Sequence, residues 1–515
     1  MGTTSLTNDE QASRGLSRTD LVVPVSLALL KLAIHLVYNR WYGYHHDELY
    51  FLACGKHLSF GYVDHAPIVP WIARLSDEVF GQSLVGLRLF PAVAGPAAVF
   101  LTGLLTRRLG GGRFAQAVAC VGMLIAPMYL RTGNALTIPS FEPLFWVLCS
   151  YLIVRIVQED NPRLWIWVGI VAGIGLMTKH TMGLFGFGLV VGLLLTRERR
   201  QFKAPWLYAG GAVALLIFLP NLVWQIANGW PTVEFVRDLN KDIMSGISLG
   251  QFFFGQVLYL HPFNVPVWLA GLCLFLLTPA GKPYRVLGWI YVSVCVLLIL
   301  TKSKIYYLGP AYPALLAGGG LAFERFVSGR NRTWMKPATI GALAAGGIAL
   351  APVSLPIFHV DVADRYCRVV TLGKLGNIYE ITGDLHGQFG WKERVEAIAE
   401  VYHALPDDEK PHTAIYSDDY GNAGAVDYFG EAYGLPNAVS GSMTYHLWGI
   451  PDHPVDVVLA VDVDADDLGS VFDDVQLARR IELDNVNPWD REFDIYACRR
   501  PKKPLREIWP QTKRL

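Results

Sequence analysis

Through the first two thirds of the chain, apolar residues gather in stretches close to twenty residues long, and polar residues fall in the short gaps between them. A bilayer core needs roughly 20 helical residues to cross it. The pattern predicts eleven spans, near 21–39, 84–105, 114–130, 140–157, 164–178, 181–196, 205–225, 257–278, 284–301, 306–323 and 338–357. The first is long, holds Lys31 and lacks a small-residue cleavage site, so it reads as a retained signal-anchor. Between the first two spans, Leu49, Phe51, Leu52 and Leu58, then Ile68, Trp71, Ile72 and Leu75, alternate with polar partners. That spacing predicts short interfacial helices within residues 40–83.

From Phe358 the pattern changes. Trp391–Leu405 carries Val395, Ile398, Ala399, Val401 and Tyr402 as a helical stripe, and 413–417, 456–461 and 493–498 read as strands. The segment 418–429 reads as a strand-to-helix turn; its glycines lack the spacing of a nucleotide cradle. The expected architecture is therefore a polytopic α-helical membrane domain over 1–357 followed by a soluble α/β domain over 358–515.

Charge sharpens this division. The chain has 515 residues with 44 basic and 44 acidic, and only 17% are charged. Residues 1–356 hold 28 basic and 16 acidic residues, whereas 357–515 hold 16 and 28. A hydrophobic content of 52% excludes a disordered chain, and the balanced charge gives no footprint of a nucleic-acid binder. Basic residues cluster in alternate loops: Arg14 and Arg18, Arg107/Arg108/Arg113, Arg155/Arg163, the run 197–203, Lys282/Arg285, and Arg325/Arg330/Arg332/Lys336. Positive loops stay cytoplasmic. Eleven spans with a cytoplasmic N-terminus would place the acidic domain outside the membrane. Of seven cysteines, Cys367 and Cys498 fall in that domain, where a bridge is permitted but no spacing signature calls for one.

The opposite loops carry His45, His46, Asp47, Glu48, Asp64, His65, Lys179, His180, Lys302 and Lys304 close to span ends. Ionisable groups beside hydrocarbon are costly, so their concentration on one face marks a site or an ion path. A carboxylate held at the membrane surface can take a proton from a hydroxyl or amine beside a lipid-borne group. Asp47 is the candidate base. Glu48 either positions the acceptor or Asp47, or caps the helix. Cations at the same face would stabilise a departing lipid phosphate; the candidates are Lys179, Lys302, Lys304 and Arg88, with hydroxyls from Tyr306 and Tyr307. Asp64, His65 and His261, with His45 or His46, offer ligands for a divalent ion, without metal-motif spacing. No other cofactor is expected.

The Asp47-Glu48 pair, Gly61-Tyr-Val-Asp-His-Ala-Pro67, Leu87-Arg-Leu-Phe-Pro91, Thr178-Lys-His-Thr-Met-Gly183 and Lys302-Ser-Lys-Ile-Tyr-Tyr-Leu-Gly-Pro-Ala-Tyr-Pro313 follow one another in an order that resembles the bacterial branch of the C-type glycosyltransferases. That branch is similar to the dolichyl-phosphate-mannose protein mannosyltransferases and to the lipid A aminoarabinose transferase. The resemblance implies a polyprenyl-phosphate-linked sugar as donor, inversion, and an extracytoplasmic lipid, glycan or protein acceptor in a bacterial inner membrane. It implies Asp47 as base and the lysine- and tyrosine-bearing stretches as the phosphate site. The aminoarabinose transferase has a basic residue after the acid of its Pro-containing block, where this chain has His65. The alternative function is a transporter or flippase of lipid-linked sugars, for which Lys31 and His35 are the mid-span candidates. The acidic tail would select the acceptor or cover the site; its Gly-bounded segment 441–449 reads equally as a flap offering Tyr445 or Trp448 to the sugar and as a buried turn.

Overall fold

A computed structural model describes residues 17–239, 247–328, 332–374, 376–377 and 384–515. Arg14 and Arg330, used above for orientation, lie outside the described residues. The chain divides into two compact units. One comprises 1–38, 88–229 and 239–355; the other comprises 39–87, 230–238 and 356–515.

The first unit is helical and apolar. Among the described residues, six helices are long and apolar enough to cross a membrane: Arg18–Tyr38, Leu84–Arg108, Ile138–Glu159, Pro205–Ala227, Lys282–Leu300 and Met335–Ser354. The helices Arg113–Ile125, Pro162–Thr178 and Met182–Leu194 are apolar but shorter. Neighbouring helices approach closely where side chains are absent. A Cβ on Gly271 would lie 1.9 Å from the Leu315 carbonyl oxygen, so the Val265–Leu277 and Tyr312–Ser328 helices meet backbone to backbone there.

The span expected over 257–278 is not one helix. Leu249–Leu260 and Pro262–Leu277 meet at 96°. Pro262 has no N–H to continue the ladder, and His261 turns the chain with a φ of +78°. The freed backbone groups are satisfied locally: His261 Nδ1 accepts from the Phe263 N–H at 3.1 Å, and Asn264 Nδ2 donates to the Leu260 carbonyl at 2.6 Å and the Gly122 carbonyl at 2.8 Å. A seventh crossing results if this bent pair counts as one span.

The second unit contains a five-stranded sheet ordered β2-β1-β3-β5-β4. Its strands are β1 (Thr413–Ser417), β2 (Ala438–Ser440), β3 (Val457–Val461), β4 (Phe472–Glu482) and β5 (Glu492–Pro501). β1 pairs parallel with β2 and β3, while β5 runs antiparallel to β3 and β4. All five residues of β3 are buried, as an apolar run between two neighbours should be. β4 is largely exposed and half charged or polar, and β2 has three residues, so neither was legible as a strand. Cys367 and Cys498 are buried free thiols.

The first outer loop folds with this sheet. The helix His46–Lys56 buries every residue from Glu48 to Gly55 and packs on the Tyr420–Phe429 helix that links β1 to β2. Their approach is close: a Cβ on Gly424 would sit 2.8 Å from the Leu49 carbonyl carbon. The next helix, Ile68–Phe80, is amphipathic and leaves Leu75, Val79 and Phe80 exposed.

Candidate functional site

Asp47 stands in the first turn of the His46–Lys56 helix, and a capping box fixes that turn. His45 Nδ1 accepts from the Asp47 N–H at 3.2 Å, and the Glu48 carboxylate accepts from the His45 N–H at 2.8 Å. Glu48 is fully buried in this role. Its geometry is that of a residue that positions the turn.

The Asp47 side chain remains 31% exposed, enough to meet a substrate. Its Oδ1 accepts from the Tyr420 hydroxyl at 3.0 Å and lies 3.3 Å from His46 Nε2, while Oδ2 lies 3.9 Å from His45 Nδ1. Burial pushes its carboxyl up, but His46, His45, the Tyr420 hydroxyl and His65 outweigh that and hold it below the ordinary carboxylate range. Burial and the neighbouring His45 push His46 down, against Asp47, Asp419 and Asp490.

Among the described residues, His45, His46 and Asp47 form the one group of three that brings donor atoms within 4.8 Å. These atoms already contact one another, His45 Nδ1 as the helix cap and His46 Nε2 beside Asp47 Oδ1, so we read the group as a hydrogen-bonded cluster. Of the ligand set expected from sequence, Asp64 and His65 lie side by side, His65 Nε2 3.7 Å from Asp64 Oδ1. Asp64 Oδ1 accepts from the Tyr50 hydroxyl at 2.8 Å, and His65 Nδ1 meets the Ala66 carbonyl at 3.0 Å. His261 belongs to the membrane unit, where its ring caps the bend described above.

The membrane unit gathers part of the expected phosphate site. Lys179 Nζ lies 4.6 Å from the Tyr307 ring centre and 5.0 Å from that of Tyr306. It also donates to Glu142 Oε2 at 2.7 Å, and the Thr181 hydroxyl takes the other carboxylate oxygen. Lys302 is exposed at a φ of +48°, Lys304 and both tyrosines are half-buried, and Arg88 is fully buried. Sequence reasoning missed Glu142, although a lone acid opening an apolar span was a signal. It also missed Tyr420, which no local pattern marks. Lys31, weighed for a transport path, is buried and donates to the Tyr129 carbonyl at 2.9 Å. His35 is buried beside Gly133.

The segment 441–449 is not an exposed aromatic flap. Tyr445 is buried, with its hydroxyl donating to Asp427 Oδ2 at 2.6 Å. Trp448 stacks on His57, ring centres 4.3 Å apart.

Over 93% of this chain and 98% of the other, the fold superposes on the crystal structure of ArnT from Cupriavidus metallidurans bound to undecaprenyl phosphate, with a TM-score of 0.62 and 17% identity. The apo form of the same protein matches with a TM-score of 0.61. The chain has the C-type glycosyltransferase fold. A family model described as dolichyl-phosphate-mannose-protein mannosyltransferase matches residues 64–224. An undecaprenyl phosphate-alpha-4-amino-4-deoxy-L-arabinose arabinosyl transferase of Pseudomonas fluorescens is 29% identical over 32% of this chain and 30% of its own length. The lipid A galacturonosyltransferase RgtD of Rhizobium johnstonii is 25% identical over 54% of this chain and 59% of its own. The chain thus spans less than two thirds of either curated relative. Together with the fold, these relatives bear out the resemblance to the C-type glycosyltransferases.

Proposed function

We propose that this protein is an integral-membrane glycosyltransferase that moves a sugar from a polyprenyl-phosphate donor to a lipid acceptor at the outer face of a bacterial inner membrane. The observation that carries this reading is the agreement of two independent comparisons: the whole-length C-type fold, and relatives named as an undecaprenyl phosphate-sugar transferase and a lipid A glycosyltransferase. Asp47 is the base. It is ionised at neutral pH, partly exposed, and held in one orientation by groups on three of its sides. An acceptor hydroxyl or amine gives its proton to the free edge of Asp47 as its oxygen or nitrogen attacks C1 of the donor sugar. The C1–O bond to the phosphate breaks on the opposite face, which inverts the centre.

The bond pair leaves with the phosphate, where negative charge grows. Fixed cations there bind the transition state more tightly than the ground state. Lys179, Lys302 and Lys304, with Tyr306, Tyr307 and Arg88, supply that field. Lys179 reaches the phosphate by exchanging the Glu142 carboxylate for it. No observation favours the transporter or flippase reading.

The test is transfer by the purified full-length chain in proteoliposomes containing undecaprenyl-phosphate-linked sugars and lipid A, read by mass spectrometry of the acceptor. Asp47→Asn should lower turnover by about 100-fold or more while folding is unchanged. Wild-type turnover that survives the substitution would remove Asp47 as base. Absence of transfer from every polyprenyl-phosphate sugar would remove the donor class.

A further inference from the structure

The candidate base does not stand on its own loop alone. The Tyr420–Phe429 helix of the α/β domain follows β1, which is flanked on both sides by its parallel neighbours β2 and β3. In open α/β sheets the carboxyl ends of such strands, where successive connections depart in opposite directions, form the crevice that takes ligands. Here a tyrosine at the first position of the departing helix donates its hydroxyl to Asp47 Oδ1 at 3.0 Å.

The Tyr420 ring is also fixed from two sides. Its centre is 4.9 Å from that of Tyr50 and 5.8 Å from that of His46. Tyr50 is itself held through Asp64 at 2.8 Å and Thr444 Oγ1 at 2.7 Å. The helix bearing Tyr420 cannot slide away without opening the glycine contact between Gly424 and Leu49. Behind it, Asp419 caps the same helix by accepting from the Asn422 N–H at 3.0 Å.

We propose that Tyr420 is a positioning residue for the transfer reaction: the α/β domain reaches across its first strand-to-helix turn to hold the Asp47 carboxylate in the orientation that leaves one oxygen edge open to the acceptor. This rests on the reading of Asp47 as base. The domain is then a working part of the catalytic centre, and not only a cover or an acceptor platform. Oδ1 is occupied by the phenol and by His46, so Oδ2 is the oxygen that takes the acceptor proton. Loss of the phenol frees the carboxylate to rotate and turns a prepaid orientation into one found by chance. It also removes one of the groups that stabilise the anion.

The groups facing Asp47 are His45 and His46 on its own turn, His65 from the following loop, and Tyr420 from the α/β domain. Asp64 and Asp419 face Tyr420, and Asp419 and Asp490 face His46. All of these remain when Tyr420 becomes Phe, so a change in the acidic limb of the rate profile reports the lost hydroxyl.

The experiment compares wild type, Tyr420→Phe, Asp47→Asn and the double variant in the proteoliposome transfer assay, with Tyr445→Phe as a control for loss of a buried hydroxyl elsewhere in the domain. Tyr420→Phe should lower kcat by about tenfold with KM for the donor unchanged, and move the acidic limb of the kcat profile to higher pH. The double variant should be no slower than Asp47→Asn. Tyr445→Phe should leave the limb in place. Site-specific 3-fluorotyrosine at 420, a stronger donor of the same shape, should move the limb to lower pH and serves where the Phe variant does not fold. A Tyr420→Phe protein with unchanged kcat and limb, or a double variant slower than Asp47→Asn by the full Tyr420→Phe factor, overturns the proposal. Retained transfer in Asp47→Asn instead overturns the base assignment on which it rests.

Discussion

Asp47 and Asp427 show how placement separates two carboxylates of one chain. Asp47 is ionised and pinned by a phenol and two imidazoles. Asp427 is buried, and its carboxyl is pushed up to about 6, chiefly by burial, against the Tyr445 hydroxyl, the Ala438 N–H and Lys56. The sign follows directly. The folded state holds this proton more tightly than the unfolded chain, so the stabilisation is full below the unfolded value near 4 and is lost as pH rises through about 6. Asp427→Asn should therefore flatten the dependence of thermal stability on pH between 4 and 7, a span worth on the order of 2 kcal/mol. A melting series that shows the same slope in both proteins would contradict the assignment. Sequence marked Asp47 because it stands in a His-His-Asp-Glu run beside a span. It could not mark Tyr420, whose partner lies far away in the chain, nor tell that Glu48 spends its carboxylate on the His45 N–H.

At the level of elements, most helices and the buried strands were legible because their signal is local. The helix Trp391–Ala404 and strands β1, β3 and β5 fall where periodicity places them. β4 escaped because an exposed antiparallel strand carries polar residues on both sides of its pleat. The expected span over 257–278 concealed a right-angled bend, since hydropathy does not register a lone His-Pro step. The contact between the His46–Lys56 and Tyr420–Phe429 helices is the element-scale feature on which the site depends. It exists because Gly424 presents no side chain to the Leu49 backbone. Gly424→Val should cost roughly 1–3 kcal/mol of stability and reduce transfer along with it, as read by thermal unfolding and the turnover of the fraction that remains folded. An unchanged melting temperature would show that the two helices have room to separate.

For the whole molecule, zero net charge conceals a basic membrane portion and an acidic tail, each with an excess of twelve charges of opposite sign. If the basic loops are cytoplasmic, as the positive-inside rule expects, an odd number of crossings would put the tail outside. Alkaline phosphatase fused after Leu515 should be active, and a fluorescent protein fused at the N-terminus should fluoresce. An inactive phosphatase fusion in a correctly inserted protein would reverse the orientation and move Asp47 to the wrong face for a lipid-linked donor presented outside. The partition into compact units adds something the charge map does not contain: the first outer loop folds with the acidic tail.

Sequence alone determined the membrane character, the change to α/β near residue 357 and the stretch that carries the candidate base, because hydropathy, charge bias and short motifs are properties of neighbouring residues. Tertiary structure alone decided what surrounds each reactive group: the phenol on Asp47, the cap on Glu48, and the acid and two tyrosines around Lys179. Apart from the Glu48 cap, which spans three residues, those contacts join residues dozens to hundreds of positions apart. Hydrogen bonds and ion pairs act over a few ångströms of space, and only the fold sets which distant residues come that close.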